Sequence, residues 1–211
     1  QVFGIEPARV DAFVRFARGD AAAWADAPAA STARRPVETH PTTDLPAPLT
    51  GLVGRKREIA GLCELVRTDG VRLITLTGPP GVGKTRLALA AAEALAADFP
   101  DGVVFVPLAP VVQPEQVAPA IAQALEVRET RLDLTEALGQ ALRDKRLLLV
   151  LDNFEQVVAA GPAVTAVLGQ AAGVKALVTS RDLLHLYGEH EFPVPALELP
   201  PVSPTDKAST Y

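Results

Sequence analysis

Apolar positions along this chain follow two rhythms that take turns. Residues 71–77, 102–108 and 174–179 are short runs rich in Val, Leu and Ile, and 147–152 (Leu-Leu-Leu-Val-Leu-Asp) is apolar up to its last residue. Such runs, without polar alternation, predict strands buried on both faces, as in parallel sheets. Between them, apolar residues recur at the three- and four-residue spacing of amphipathic helices. One set is Ile59, Leu62, Cys63 and Val66, ending at Asp69-Gly70, and a second is Leu87, Ala91, Ala94 and Leu95. A third is Val117, Ile121, Ala124 and Leu125, with Pro114 suited to its first turn. A fourth is Leu134, Leu138, Ala141 and Leu142, which Asp133 or Thr135 can cap. A further helix over 155–170 is interrupted by Gly161-Pro162, and 191–194 reads as a last strand, broken by proline as an edge strand tolerates. Strands and helices alternate through residues 49–200, so the fold class is α/β.

The flanks have a different texture. Residues 1–20 hold one short helix, with Val10, Phe13, Val14 and Ala17 on a face and Gly19 placed to end it. That face needs a partner, either the main domain or a domain further upstream. Residues 21–48 shift to Ala, Pro, Ser and Thr and read as a linker, in which His40 is a solvated residue. Residues 201–211 form a polar tail without a packing pattern. The chain starts at Gln1 and contains no methionine, so it reads as part of a longer protein.

Composition narrows the function. A length of 211 residues with 48% apolar content suits one α/β domain plus appendages. A net charge of -5 and a pI near 5.3 supply no overall basic field, which argues against direct nucleic-acid binding by this segment. The single cysteine, Cys63, rules out an internal disulfide and any multi-cysteine metal site, and it points to a reducing cytoplasm. Cys63 itself reads as a helix core residue. No apolar run approaches the ~18 residues of a membrane span.

The chemistry concentrates at Gly78-Pro79-Pro80-Gly81-Val82-Gly83-Lys84-Thr85, which fits G-x-x-x-x-G-K-[ST], the phosphate-binding P-loop. Glycines let successive backbone N–H groups turn inward around phosphates, lysine supplies a point charge at the β- and γ-phosphates, and the threonine hydroxyl can ligate Mg²⁺. A strand before the loop and a helix after it complete the required context. Asp152 closes the most apolar strand, at the sheet edge where α/β folds bind ligands. It is suited to hold Mg²⁺ opposite Thr85, or to cap the turn that begins at Phe154. Ser180-Arg181 reaches the same edge, where Arg181 either contacts a γ-phosphate or is a surface residue starting a helix.

Four stretches in order, "LTGLVGR", "LTLTGPPGVGKTRLA", "LLLVLDNFEQV" and "LVTSRDLL", resemble the STAND class of signal-transducing P-loop ATPases. They are similar to its NB-ARC group, and most of all to the ATPase domain of large bacterial transcriptional regulators. The resemblance covers roughly residues 49–200. It implies a three-layer α/β/α sandwich with a five-stranded parallel sheet ordered 5-1-4-3-2. It further implies that the 103–108 strand can fill the place between the P-loop strand and the Walker B strand. Val53, Gly54 and Arg55 match the adenine and ribose side of such sites. Gly78, Pro79, Gly81, Val82, Gly83, Lys84, Thr85 and Arg86 match the phosphate contacts. Asp152 matches the Walker B acid, which with Thr85 holds Mg²⁺, and Arg181 matches the sensor arginine.

What the resemblance implies is an ATP/ADP switch, at most a slow Mg-dependent ATPase. Its partners would be nucleotide, and either copies of itself or neighbouring domains of the longer protein. A turnover ATPase or P-loop kinase is the alternative. Two features depart from the pattern. Asn153 stands where efficient ATPases often carry a second acid, which leaves the general base unassigned. Glu155 is nearby, and either the cleft or solvent could receive its side chain. The helical and winged-helix modules that close over nucleotide in such proteins are not within these 211 residues.

Overall fold

A computed structural model describes residues 45–46, 51–127 and 133–196 of the chain. The helix expected within residues 1–20, the linker with His40 except for Leu45 and Pro46, and the 201–211 tail lie outside the described residues. In chain order the elements are α1 (Lys56–Arg67), β1 (Leu73–Thr77), α2 (Lys84–Leu95), β2 (Val103–Pro107) and α3 (Val117–Ala124). There follow α4 (Leu134–Leu142), β3 (Leu148–Asp152), α5 (Gly161–Gln170), β4 (Lys175–Thr179) and β5 (Glu189–Pro193).

The five strands form one parallel sheet in the order β2-β3-β4-β1-β5, which read from the other edge is 5-1-4-3-2. The strand between β1 and β3 is therefore β4. The 103–108 run expected there instead forms the outer strand β2, paired to β3 with Val103 opposite Leu148. Both runs are apolar enough for a central position. The difference is that β4 is buried along nearly its whole length, whereas Phe105 and Pro107 of β2 are partly open.

Residue alternation along the strands explains the layers. Ile74, Leu76, Leu148, Val150 and Leu177 pack in one cluster with Leu62 and Val66 of α1 and Leu87, Ala91 and Leu95 of α2. Leu73, Leu149, Leu151, Ala176 and Val178 point the other way, into a cluster with Ile121 of α3, Leu138 and Leu142 of α4, and Val164, Val167 and Leu168 of α5. Successive side chains of a strand face opposite sides, so continuous apolar runs need helices on both.

Two local expectations change, and one open alternative is settled. Ala94 and Ala141 are exposed, and Ala88, Ala92 and Ala137 are buried in the faces of their helices. Leucines set the rotation of these helices, because alanine offers too little apolar area to do so. Gly161-Pro162 does not interrupt a long helix. Residues 154–160 form two 3-10 turns, and the proline sits in the first turn of α5, where its missing N–H is not needed. Asp133, rather than Thr135, caps α4, its Oδ1 accepting from the Thr135 amide at 2.9 Å.

Leu151 is completely buried in β3. Leu151→Ala is expected to lower unfolding free energy by about 3 kcal/mol through lost burial and the cavity left behind, seen as a lower urea midpoint.

Candidate functional site

All five strands are parallel, so the C-terminal ends of β1, β3 and β4 meet at one edge of the sheet. The loop leaving β1 there begins with Gly78, at φ 144°. Its N–H donates to the Arg181 carbonyl at 3.3 Å, and a Cβ at this position would lie 3.0 Å from the Val194 carbonyl oxygen. Only glycine satisfies both the backbone angle and this close approach. Gly83, at φ 97°, turns the chain into α2. The first N–H groups of α2 have no intrahelical acceptors, and they carry the positive end of the helix dipole.

Lys84 opens α2 and is largely buried. Its Nζ donates to the loop's own carbonyls, Gly78 at 2.7 Å and Pro79 at 3.1 Å. Next to it, the Thr85 hydroxyl donates to Asp152 Oδ1 at 2.7 Å. The Thr179 hydroxyl, from the end of β4, donates to the same oxygen at 2.6 Å and accepts from the Asn153 amide at 3.0 Å. One carboxylate oxygen thus joins the start of α2 to the ends of β3 and β4. Asp152 does not cap the turn that follows: the N-cap residue there is Asn153, in left-handed conformation at φ 63°, and no side chain caps the turn.

A cleft of about 250 Å³ opens over this edge. Gly81, Gly83, Lys84, Thr85 and Arg86 line one side, and Asn153, Glu155, Thr179 and Arg181 the other. No helix begins at Arg181; its Nε pairs with Glu155 Oε1 at 3.3 Å across the mouth. Arg86 also donates to the Gly51 carbonyl at 3.0 Å.

Residues 53–55 stand apart from the cleft lining. Val53 is 84% exposed, and Gly54 has φ 77°. Arg55 is buried, its guanidinium bonded to the carbonyls of Val82 (3.3 Å) and Pro195 (2.7 Å) and to Glu58 at 2.9 Å. Backbone donation at the start of α1, aided by Arg55, holds the Glu58 carboxyl below the usual carboxylate range. The Val82 side chain belongs to the core, so this residue meets the loop surroundings through its backbone.

Three residues of the cleft lining were not among the expected site residues, Pro80, Asn153 and Thr179, and the direction of Glu155 was open. A hydroxyl residue ending a buried strand beside the Asp152 strand was the signal for Thr179. Pro80 lies within the P-loop pattern, and Asn153 and Glu155 follow Asp152 by one and three places.

The donors suit a particular ligand chemistry. A hydroxyl and a carboxylate 2.7 Å apart are hard oxygen donors fit for Mg²⁺. Among the described residues no group of three or more His, Cys, Asp or Glu side chains can hold a metal by itself. A divalent cation here would need further oxygens from its ligand, which a polyphosphate supplies. Cationic Lys84, Arg86 and Arg181 around the cleft suit the same ligand.

Parallel order 5-1-4-3-2 with a glycine loop between β1 and α2 defines a P-loop nucleoside-triphosphatase fold. The family described as "AAA domain" matches residues 67–195, more than half of the chain. The chain belongs to this family of P-loop ATPase domains. A protein of Mycobacterium bovis named "Putative HTH-type transcriptional regulator" is 37% identical over 130 residues, 61% of this chain and 14% of that protein. The regulatory protein AfsR of Streptomyces coelicolor is 30% identical over 171 residues, 73% of this chain and 17% of AfsR. The chain therefore matches only 14% and 17% of the length of these relatives. Among solved structures, the Aeropyrum pernix ORC2 protein aligns at 17% identity and a TM-score of 0.48, over 67% of this chain and 48% of that one. No helix among the described residues is long and apolar enough to cross a membrane.

Thr179→Val removes the second donor to Asp152 and leaves the Asn153 amide without its acceptor. A loss of about 1–3 kcal/mol in unfolding free energy is expected, with thermal denaturation as the check and Thr179→Ser restoring most of it.

Proposed function

We propose that this domain is the ATP- and ADP-binding core of a STAND-type signal-transducing ATPase of the NB-ARC kind. It would work as a nucleotide-dependent switch inside a longer bacterial transcriptional regulator in the cytoplasm. One observation carries the reading: the P-loop lysine, the Thr85–Asp152 couple and Arg181 all converge on one sheet edge, three of the four lining a single cleft. The names of the M. bovis and S. coelicolor relatives support the regulatory setting.

In this reading the loop from Gly78 to Gly83 and the N-terminus of α2 wrap the phosphates with backbone N–H groups. Lys84 exchanges its two loop carbonyls for β- and γ-phosphate oxygens. Thr85 and Asp152 hold Mg²⁺, directly or through water, and the ion neutralises phosphate charge. Val53 and the Gly54 backbone lie on the base and ribose side, while Arg55 braces the loop through Val82. The preference for adenine follows from the family.

Arg181 gives the switch its sense of state. A ligand shifts a conformational balance only by its differential affinity for the two states, and a γ-phosphate contact at Arg181 is available with ATP and missing with ADP. The readout would pass to other domains of the longer protein or to further copies of it. Nucleic-acid contacts would belong to those other parts.

Lys84→Ala is expected to weaken Mg-ATP binding about 100-fold or more while far-UV circular dichroism stays unchanged. Titration calorimetry of both proteins checks this, and undiminished affinity in the variant would rule out the P-loop as the binding site. Arg181→Ala is expected to narrow the preference for ATP over ADP about tenfold, or ~1.4 kcal/mol, measured as the ratio of the two dissociation constants. An unchanged ratio would remove Arg181 from the sensing role.

A further inference from the structure

Asn153 occupies the position after the Asp152 carboxylate, and an amide cannot take a proton from water. The proposed site therefore lacks the acid that most directly activates a nucleophile in this place. The chain compensates two residues later. Asn153 takes a left-handed turn and ties its amide to Thr179, and the next residue, Phe154, is completely buried. This fixed 3-10 turn brings Glu155 back to the cleft that Lys84 and Thr85 line. The Glu155 side chain is only 17% exposed. Its Oε1 accepts from Arg181, and its Oε2 is buried with no donor in reach among the described residues.

A buried carboxylate oxygen without a donor is costly. Sidedness gives it a use: one oxygen is anchored by the cation read above as the γ-phosphate sensor, and the other has its acceptor capacity free. We propose that Glu155 is the general base of ATP hydrolysis in this domain, with Arg181 as its positioning partner. This rests on the nucleotide-binding reading given above. In the step, the water oxygen bonds to the γ-phosphorus as the bond from that phosphorus to the bridging oxygen of the β-phosphate breaks. The electron pair of the broken bond stays on ADP. Glu155 takes the proton released by the water, and inorganic phosphate leaves; the proton then passes to solvent. Arg181 holds Glu155 through Nε, which leaves its terminal nitrogens to meet the γ-phosphate while Glu155 stays anchored. Hydrolysis is thereby tied to the sensed state.

The test combines Mg-ATP titration with measurement of phosphate release across pH on the 211-residue chain, for wild type, Glu155→Gln and Glu155→Asp. Glu155→Gln keeps the size and the hydrogen bond to Arg181. It is expected to bind Mg-ATP as wild type does, to release phosphate about 100-fold more slowly, and to lose the acid-side fall in rate that protonation of the carboxylate produces in wild type. Glu155→Asp, one methylene shorter, is expected to retain part of the rate and the acid-side fall. Phosphate release by Glu155→Gln at the wild-type rate overturns the proposal, as does a wild type that binds Mg-ATP without hydrolysing it. Both results leave the nucleotide site intact. A folded wild type that fails to bind Mg-ATP refutes the underlying reading, and the assignment of Glu155 falls with it.

Discussion

A single carboxylate oxygen organises this domain's working edge. Asp152 Oδ1 receives the hydroxyls of Thr85 and Thr179, and so locks the first turn of α2 to the ends of β3 and β4. Hydrogen bonds to an ionised acceptor are about twice as strong as neutral ones, and burial raises their worth. The sheet makes this possible. Only parallel strands bring β1, β3 and β4 to the same edge, and only a sheet covered on both faces can be made of runs as apolar as residues 147–151.

The P-loop is held by its neighbours as much as by its own sequence. Gly78 is wedged between the carbonyls of Arg181 and Val194, and Arg55 clamps Val82 to Pro195. The segments after β4 and β5 therefore touch the phosphate-binding loop directly. A change at the loop when nucleotide binds has a short physical route to the chain that follows β5. The switch proposed above would use that route.

Much of this was legible from residue order. The glycine loop, the buried strand before it and the acid ending 147–152 need specific residue types at fixed spacing, so they announce themselves locally. Neighbour relations do not. The 103–108 and 174–179 runs are both short, apolar and β-branched, and periodicity cannot say which lies beside β3 on which side. Small residues mislead for the same reason: Ala94 and Ala141 fit a helical stripe by spacing, yet they face solvent because leucines fix the rotation. Arg55 was matched to the adenine and ribose side by resemblance alone; residue order did not show that it is buried and braces Val82 and Pro195. Glu155 could be placed only in three dimensions, since its return to the cleft depends on the left-handed turn at Asn153 and the anchoring of Phe154.

In the proposed reading, nucleotide binds at the edge bearing Lys84, Asp152 and Arg181. The most direct test is amide chemical-shift mapping of the ¹⁵N-labelled chain titrated with Mg²⁺ and a non-hydrolysable ATP analogue. The largest saturable shifts are expected at residues 78–86 other than the prolines, 152–155 and 179–181, with little change along α3 and α4. Shifts centred away from these three segments, with the P-loop amides unmoved at saturation, would contradict this reading.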